Sequence, residues 1–240
     1  MSALRKIILS IFICLVIMGS AITSWAIPTL QLDIGGGTYD LSTETIVSSD
    51  DTFTLYAYLI PDSKNLVSDT YYISMAVTPK AGPSSANLGS ISFAGSTINV
   101  TSDMAYGTAP FEAYISSDPG DLAKHGIFET YYYEDGFQFD SNQTTLQYNT
   151  QDDPGGPNSS GTPTMYYMSF LVDASSLDSE YDVHFDLYNT KLKGVDTDIT
   201  QFAPFSHDAE SRHNVPEPMT LILLGLGLLG LGSIWRKFKA

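Results

Sequence analysis

The chain has 240 residues and a formal net charge of −16, with 27 acidic residues against 11 Lys and Arg. Nucleic acid and anionic membrane surfaces repel so acidic a protein, so we expect no nucleic-acid partner. The single cysteine, Cys14, excludes an intramolecular disulfide.

The first 26 residues predict an export signal peptide. Arg5-Lys6 supply a positive start, residues 7–18 are apolar, and Ser24-Trp25-Ala26 is a small-x-small cleavage site. Cys14 lies within the apolar stretch rather than at its end, where a lipoprotein cysteine stands. We therefore expect signal peptidase to cut after Ala26 and to leave a mature chain without cysteine.

Residues 27–214 predict one acidic domain. About 190 residues are enough for a single hydrophobic core. This stretch holds six of the Lys and Arg and 26 of the Asp and Glu, for a net charge near −20. Such a charge attracts cations and fits the binding of divalent ions, although it serves solubility equally well.

Apolar-polar alternation, rich in Tyr, Phe, Ile and Val, predicts an all-β fold. Turn residues separate the alternating runs. The predicted strands are 30–34, 53–60, 71–77, 90–100, 112–116, 128–133, 165–172 and 182–187. Eight short strands favour an antiparallel β-sandwich of immunoglobulin, cohesin or jelly-roll type over a barrel, with the ectodomain at 27–203.

Three loops connect or follow these strands. Residues 35–37 are three glycines after a strand and predict a turn or bulge. Residues 151–163 are low in complexity and predict a mobile surface loop. Residues 204–214 predict an exposed linker toward the C-terminal segment.

No sequence motif predicts an enzyme. Ser206-His207-Asp208 are consecutive and so cannot converge as a catalytic triad. Nucleophile-elbow, His-Glu-x-x-His and Walker patterns are absent from the sequence. His184 alternates within a predicted strand and is interpreted as a packed or exposed strand residue rather than a ligand.

Calcium binding is one candidate activity, because calcium takes six to eight oxygen ligands, usually from loops. The principal candidate ligands are Asp196, Asp198 and Asp208, with Glu210 close by in sequence. A second group, Asp33, Asp40 and Glu44, flanks the glycine turn. Neither has EF-hand spacing, and Asp is also favoured in turns for its own backbone hydrogen bonds.

Carbohydrate binding is another candidate activity, based on tyrosine pairs and a triplet at 71–72, 131–133 and 166–167. Strand alternation places Tyr131 and Tyr133 on one face and Tyr132 on the other, so one of these sets belongs to the core.

The last 26 residues have three parts in a fixed order. Val215-Pro216-Glu217-Pro218 cannot continue a helix upstream. The uncharged residues 219–235 form a predicted transmembrane helix of about 25 Å, just under the hydrocarbon thickness. Three cations follow, Arg236, Lys237 and Lys239, and by the positive-inside rule they keep this end cytoplasmic.

This C-terminal element resembles the PEP-CTERM sorting signal of Gram-negative bacteria. The resemblance covers residues 215–240 and implies recognition by an exosortase, a membrane-embedded protease-transpeptidase that would remove the helix near the motif. The alternative is a permanent single-span tail anchor.

The domain itself resembles the choice-of-anchor N proteins. The similar segments are 30–40 (LQLDIGGGTYD), 181–188 (YDVHFDLY) and 203–209 (APFSHDA). This resemblance implies export and surface anchoring but no particular chemistry.

Together these features predict an exported structural or adhesive protein of the cell surface or extracellular matrix. The expected partners are signal peptidase, an exosortase, transiently the inner membrane, and extracellular polysaccharide. A calcium- or carbohydrate-binding module is the alternative, and we expect no enzymatic activity.

Overall fold

The computed structural model describes residues 27–83, 86–109, 128–158, 162, 164–193, 196–204 and 207–212. Over these ranges the fold is all-β, and none of them contains a helix long and apolar enough to cross a membrane. The predicted signal peptide, strand 112–116 and C-terminal helix 219–235 lie outside the described residues.

The described strands, in chain order, are β1 (Leu30–Ile34), β2 (Thr38–Asp40), β3 (Thr45–Val47), β4 (Thr52–Leu59), β5 (Tyr71–Thr78), β6 (Gly89–Phe93), β7 (Ser96–Asn99), β8 (Ala105–Thr108), β9 (Glu129–Phe137), β10 (Thr144–Leu146), β11 (Thr164–Leu177), β12 (Asp182–Lys193), β13 (Asp196–Phe202) and β14 (Asp208–Glu210).

These strands form two sheets. The smaller has the order β1-β4-β11-β6-β7, with β10 also on β11, and every pair in it is antiparallel. The larger has the order β2-β3-β14-β12-β5-β9-β8, with β13 also on β12. Its pairs are antiparallel except β3 with β14, which is parallel.

The two sheets share one hydrophobic core. Successive side chains of a strand point to opposite faces, so alternate residues such as Val183, Phe185 and Leu187 of β12 enter the core. Aromatic rings join the sheets: Phe53 meets Phe185 at a centroid distance of 6.1 Å, and Phe137 meets Phe170 at 5.1 Å. The predicted all-β class is therefore confirmed, with two sheets, whereas the parallel pair of β3 and β14 departs from the predicted purely antiparallel arrangement.

One predicted strand is in fact a hairpin. Residues 90–100 form β6 and β7, joined by Ala94 and Gly95, whose φ angles are 49° and 85°. Positive φ at both central residues is the signature of a type I′ turn, whose twist matches that of the flanking strands. The buried apolar positions change phase across this turn, from Ile91 and Phe93 to Ile98 and Val100, so the prediction of one continuous strand was wrong.

The predicted linker 204–214 is wrong at its centre. β14 lies between β3 and β12, and its three residues are buried. Ala209 reaches the shared core, so the domain continues to at least Arg212. Three residues are too short for an alternating pattern to be recognised, which is why the sequence alone did not reveal this strand.

Truncation of single leucines to alanine tests which strand faces point into the core and which point to solvent. Leu187→Ala removes a side chain that is 1% exposed in the core and should destabilise the protein by about 2–5 kcal/mol. The matched control, Leu171→Ala on β11, removes a side chain that is 60% exposed and should change stability by about 0.5 kcal/mol or less. Urea unfolding of both variants measures the difference; equal losses would contradict the assignment.

Candidate functional site

Three ionisable side chains converge on the face of the larger sheet that points away from the shared core. Nε2 of His184 lies 3.3 Å from Oδ1 of Asp186 and 3.9 Å from Oδ2 of Asp208. One ligand atom from each residue falls within 4.8 Å of the other two. All three side chains are at most 1% exposed. We call this group the His-Asp cluster.

Strand geometry explains the convergence. His184 and Asp186 alternate with the core residues of β12, so both point to the opposite face. β14 pairs with β12 in the register His184 to Glu210 and Phe185 to Ala209. One further step along this antiparallel register places Asp208 beside Asp186.

The larger sheet carries further buried polar groups on this face. Glu210 is 4% exposed, and Thr78 donates a hydrogen bond of 3.4 Å to its Oε1. Tyr188, also on β12, donates its hydroxyl proton to Glu134 of β9. The His-Asp cluster therefore lies in a polar layer rather than in a hydrophobic one.

Only one of the three principal calcium candidates takes part in this cluster. Asp198 of β13 lies opposite Lys191 and Asp196 opposite Lys193, whereas Asp208 lies beside Asp186. From Asp186 to Lys191 is five residues along β12, or about 16 Å at strand rise. The backbone register thus separates Asp196 and Asp198 from Asp208.

The second acidic group, around the glycine turn, does not converge either. Arg212 donates to Asp40 at 2.7 Å, and hydrogen bonds from Ser42 together with Arg212 hold the pKa of Asp40 well below its usual range. Glu44 is exposed. Asp33 is fully buried and has protein donors of its own.

Asp33 fastens the glycine-rich loop to the smaller sheet. Its carboxylate accepts hydrogen bonds from the backbone amides of Ile34, Gly155 and Gly156, the shortest at 2.7 Å and 2.9 Å. The Tyr148 hydroxyl lies 3.1 Å from Asp33 and 2.6 Å from the Tyr58 hydroxyl. Residues 151–158 are thus held against β1, which corrects the prediction of a mobile loop there.

The other histidine of the described part that is buried, His207, does not form a triad. Its Nε2 lies 2.7 Å from Oδ1 of Asn149, and burial lowers the pKa of His207 to about 4, so the ring is neutral at pH 7. Ser206, His125 and His213 lie outside the described residues.

The tyrosine triplet follows the predicted alternation. Tyr131 and Tyr133 pack on the core, while Tyr132 packs on Ala76 on the opposite face. A different patch lies on the outward face of the smaller sheet, where the rings of Tyr56, Tyr58 and Tyr167 lie 6.2–6.3 Å apart. Of these, Tyr56 and Tyr167 are partly exposed.

The sequence interpretation missed two members of the His-Asp cluster. The sequence pattern predicts His184 to be a packed or exposed strand residue and gives Asp186 no role as a ligand. The signal was present in the spacing His184-Phe185-Asp186, which puts imidazole and carboxylate on one face of a strand. The sequence does not show that β14 pairs with β12, and this pairing is what places Asp208 next to Asp186.

The strand β14 ends at Glu210, five residues before Val215, where the three-part C-terminal segment begins. Residues 214–237 match the PEP-CTERM protein-sorting motif. The PEP-CTERM motif implies export, a membrane-anchored C-terminal sorting signal and processing by an exosortase. The predicted motif residues 215–218 and the cations Arg236 and Lys237 fall within the match; Lys239 follows it. No curated protein and no solved structure was found to be similar to the chain.

The buried carboxyl of Asp33 gives a pH dependence of stability. Burial raises the pKa of Asp33 from 3.8 to about 6, outweighing the hydrogen bonds from Gly155, Gly156, Ile34 and Tyr148. Because the folded state holds this proton more tightly, the contribution of Asp33 to stability is largest below pH 3.8 and is lost as the pH rises through about 6. The free energy of unfolding of the wild type minus that of Asp33→Asn should fall by about 3 kcal/mol from acid to neutral pH.

Urea unfolding at several pH values measures this difference, with Glu180→Gln, an exposed carboxylate, as the control. A difference that grows with pH would mean that the donors outweigh burial.

Proposed function

We propose that the chain is an exported structural or adhesive protein of the cell surface or extracellular matrix, delivered through its C-terminal sorting signal. The match at residues 214–237 carries the proposal, because a PEP-CTERM motif belongs to secreted proteins sorted by an exosortase. In this scheme signal peptidase cuts after Ala26, and the domain folds outside the inner membrane. The helix at 219–235 holds it there until the exosortase severs the chain near Pro216-Glu217-Pro218.

The location of the motif relative to the domain supports this order of events. The described fold reaches Arg212, and Val215 is the third residue after it. The domain thus precedes the signal without a long intervening segment. Membership of the choice-of-anchor N family belongs to the same proposal, and so does the destination on the cell surface.

A structural or adhesive role is supported by the character of the domain. It carries a net charge near −20 over residues 27–214, which keeps copies soluble and apart until a partner or cation bridges them. The expected absence of catalysis stays a prediction, which a screen for glycan cleavage tests.

Replacing the two motif prolines tests the processing step. Pro216→Ala/Pro218→Ala should let the predicted helix extend outward and block cleavage, because alanine favours the helix that proline interrupts. Intact mass and cell fractionation of the protein in its own host should give a chain that retains Ala240 in the membrane. The wild type should instead begin at Ile27 and end near Pro218.

The matched control is Pro61→Ala/Pro83→Ala, which changes two exposed prolines of the domain. It should be processed like the wild type. Normal release of the motif variant would contradict the proposed recognition. A wild-type protein that keeps Ala240 would make the helix a permanent tail anchor.

Polysaccharide binding is a second candidate function, favoured by the tyrosine patch of Tyr56, Tyr58 and Tyr167. Aromatic faces with a polar hydroxyl suit contact with sugar rings, and Tyr56 and Tyr167 are both partly exposed on the same outward face. The patch lies on the smaller sheet, away from the His-Asp cluster on the larger one.

Retention on a resin of the host polysaccharide tests this candidate. Tyr167→Ala should weaken retention several-fold, since it removes a ring that contacts both other tyrosines of the patch. Tyr181→Ala, a partly buried tyrosine elsewhere, is the control and should leave retention unchanged. Equal retention of both variants and the wild type would exclude the patch as the binding surface.

A further inference from the structure

The His-Asp cluster has the donor set of a metal site. One imidazole nitrogen and two carboxylates approach one another from two neighbouring strands, with separations of 3.3 Å and 3.9 Å at His184 Nε2. We propose that His184, Asp186 and Asp208 bind one divalent transition-metal ion, of which Zn²⁺ fits the donors best. This site differs from the calcium group predicted on Asp196, Asp198 and Asp208, with which it shares only Asp208.

The burial of the Asp186 carboxylate without hydrogen-bond donors among the described residues is an independent observation that points to a ligand. This carboxylate is 1% exposed, and within the described part of the protein neither oxygen accepts a hydrogen bond. A buried carboxylate without such donors is costly unless a cation or a pairing partner compensates it. Asp33, by contrast, is equally buried but accepts bonds from three backbone amides.

The distances suit a small ion. Four-coordinate zinc binds nitrogen and oxygen ligands at about 2.0–2.2 Å, which places ligand atoms about 3.4 Å from one another. The three atoms of the cluster lie within 4.8 Å of one another, so small rotations of the side chains bring them to that spacing. Three protein ligands leave one position of a tetrahedral ion for a further donor.

The ligand types distinguish zinc from calcium. Calcium takes six to eight oxygen ligands and does not favour imidazole nitrogen. Imidazole together with carboxylate suits Zn²⁺ and other first-row transition metals. With a neutral imidazole, the two carboxylates of Asp186 and Asp208 balance the double positive charge of one ion. An enclosed site of this kind has a structural use.

The proposed ion would join the last described strand to the body of the sheet. Asp208 belongs to β14, whereas His184 and Asp186 belong to β12. β14 has only three residues, and it pairs with β12 at two positions and with β3 at three. A metal bridge between the strands would fasten the segment that leads to the sorting motif.

The test uses the full chain purified in detergent, stripped with a chelator and titrated with Zn²⁺. Calorimetry should give one site per chain, and thermal unfolding should shift to higher temperature with Zn²⁺. Asp186→Asn should weaken Zn²⁺ binding by more than about 100-fold, since even residues behind the ligands contribute 10- to 100-fold. Glu180→Gln, an exposed carboxylate, is the control and should bind like the wild type.

A second readout separates a metal site from a buried ion pair. Without metal, Asp186→Asn removes one of two neighbouring buried carboxylates, so it should unfold at or above the temperature of the stripped wild type. With Zn²⁺ the order should reverse. His184→Gln and Asp208→Asn repeat the binding test should Asp186→Asn fail to fold.

Several results would overturn the proposal. A stripped wild type with no Zn²⁺ site would do so, as would Zn²⁺ binding that all three cluster variants retain. Preferential binding of Ca²⁺ over Zn²⁺ by the wild type would show that the imidazole is not a ligand.

Discussion

The packing of two sheets across one shared core is the constraint on which the rest of this structure depends. Because strand side chains alternate, filling that core with residues such as Phe53 and Phe185 sends their neighbours to the outward faces. On β1 the outward neighbour is Asp33, and on β12 the outward neighbours are His184 and Asp186. Both polar groups of interest are thus consequences of how the apolar residues are placed.

The cost of burying polar side chains is met in different ways at Asp33 and at the His-Asp cluster. Asp33 is covered by the glycine-rich loop, whose amides at Gly155 and Gly156 approach closely and donate to it. The His-Asp cluster instead brings together ionisable side chains from two strands. One carboxylate therefore serves to hold a loop in place, while the other arrangement offers ligand atoms.

Much of the fold could be predicted from alternation, and the failures have identifiable physical causes. β1 was predicted with the observed bounds, and β5 to within one residue, because each alternates over a full strand. The turn at Ala94-Gly95 was missed although the buried apolar positions change phase across it, from Ile91 and Phe93 to Ile98 and Val100, because the turn has only two residues. Asp208 could be predicted as a ligand from its charge alone. Its proximity to His184 and Asp186 could not, because it follows from the pairing of β14 with β12, which joins residues more than twenty positions apart in the sequence.

The place of β14 has a consequence for the biogenesis of the protein. Its partner β3 lies at Thr45–Val47, some 160 residues earlier, so the larger sheet cannot close until the chain has emerged through residue 210. The apolar segment at 219–235 follows within ten residues. Completion of the sheet and arrival of that segment at the translocation channel therefore fall at nearly the same moment. A chain that stalls before this point exposes the edges of β3 and β12 to other strands.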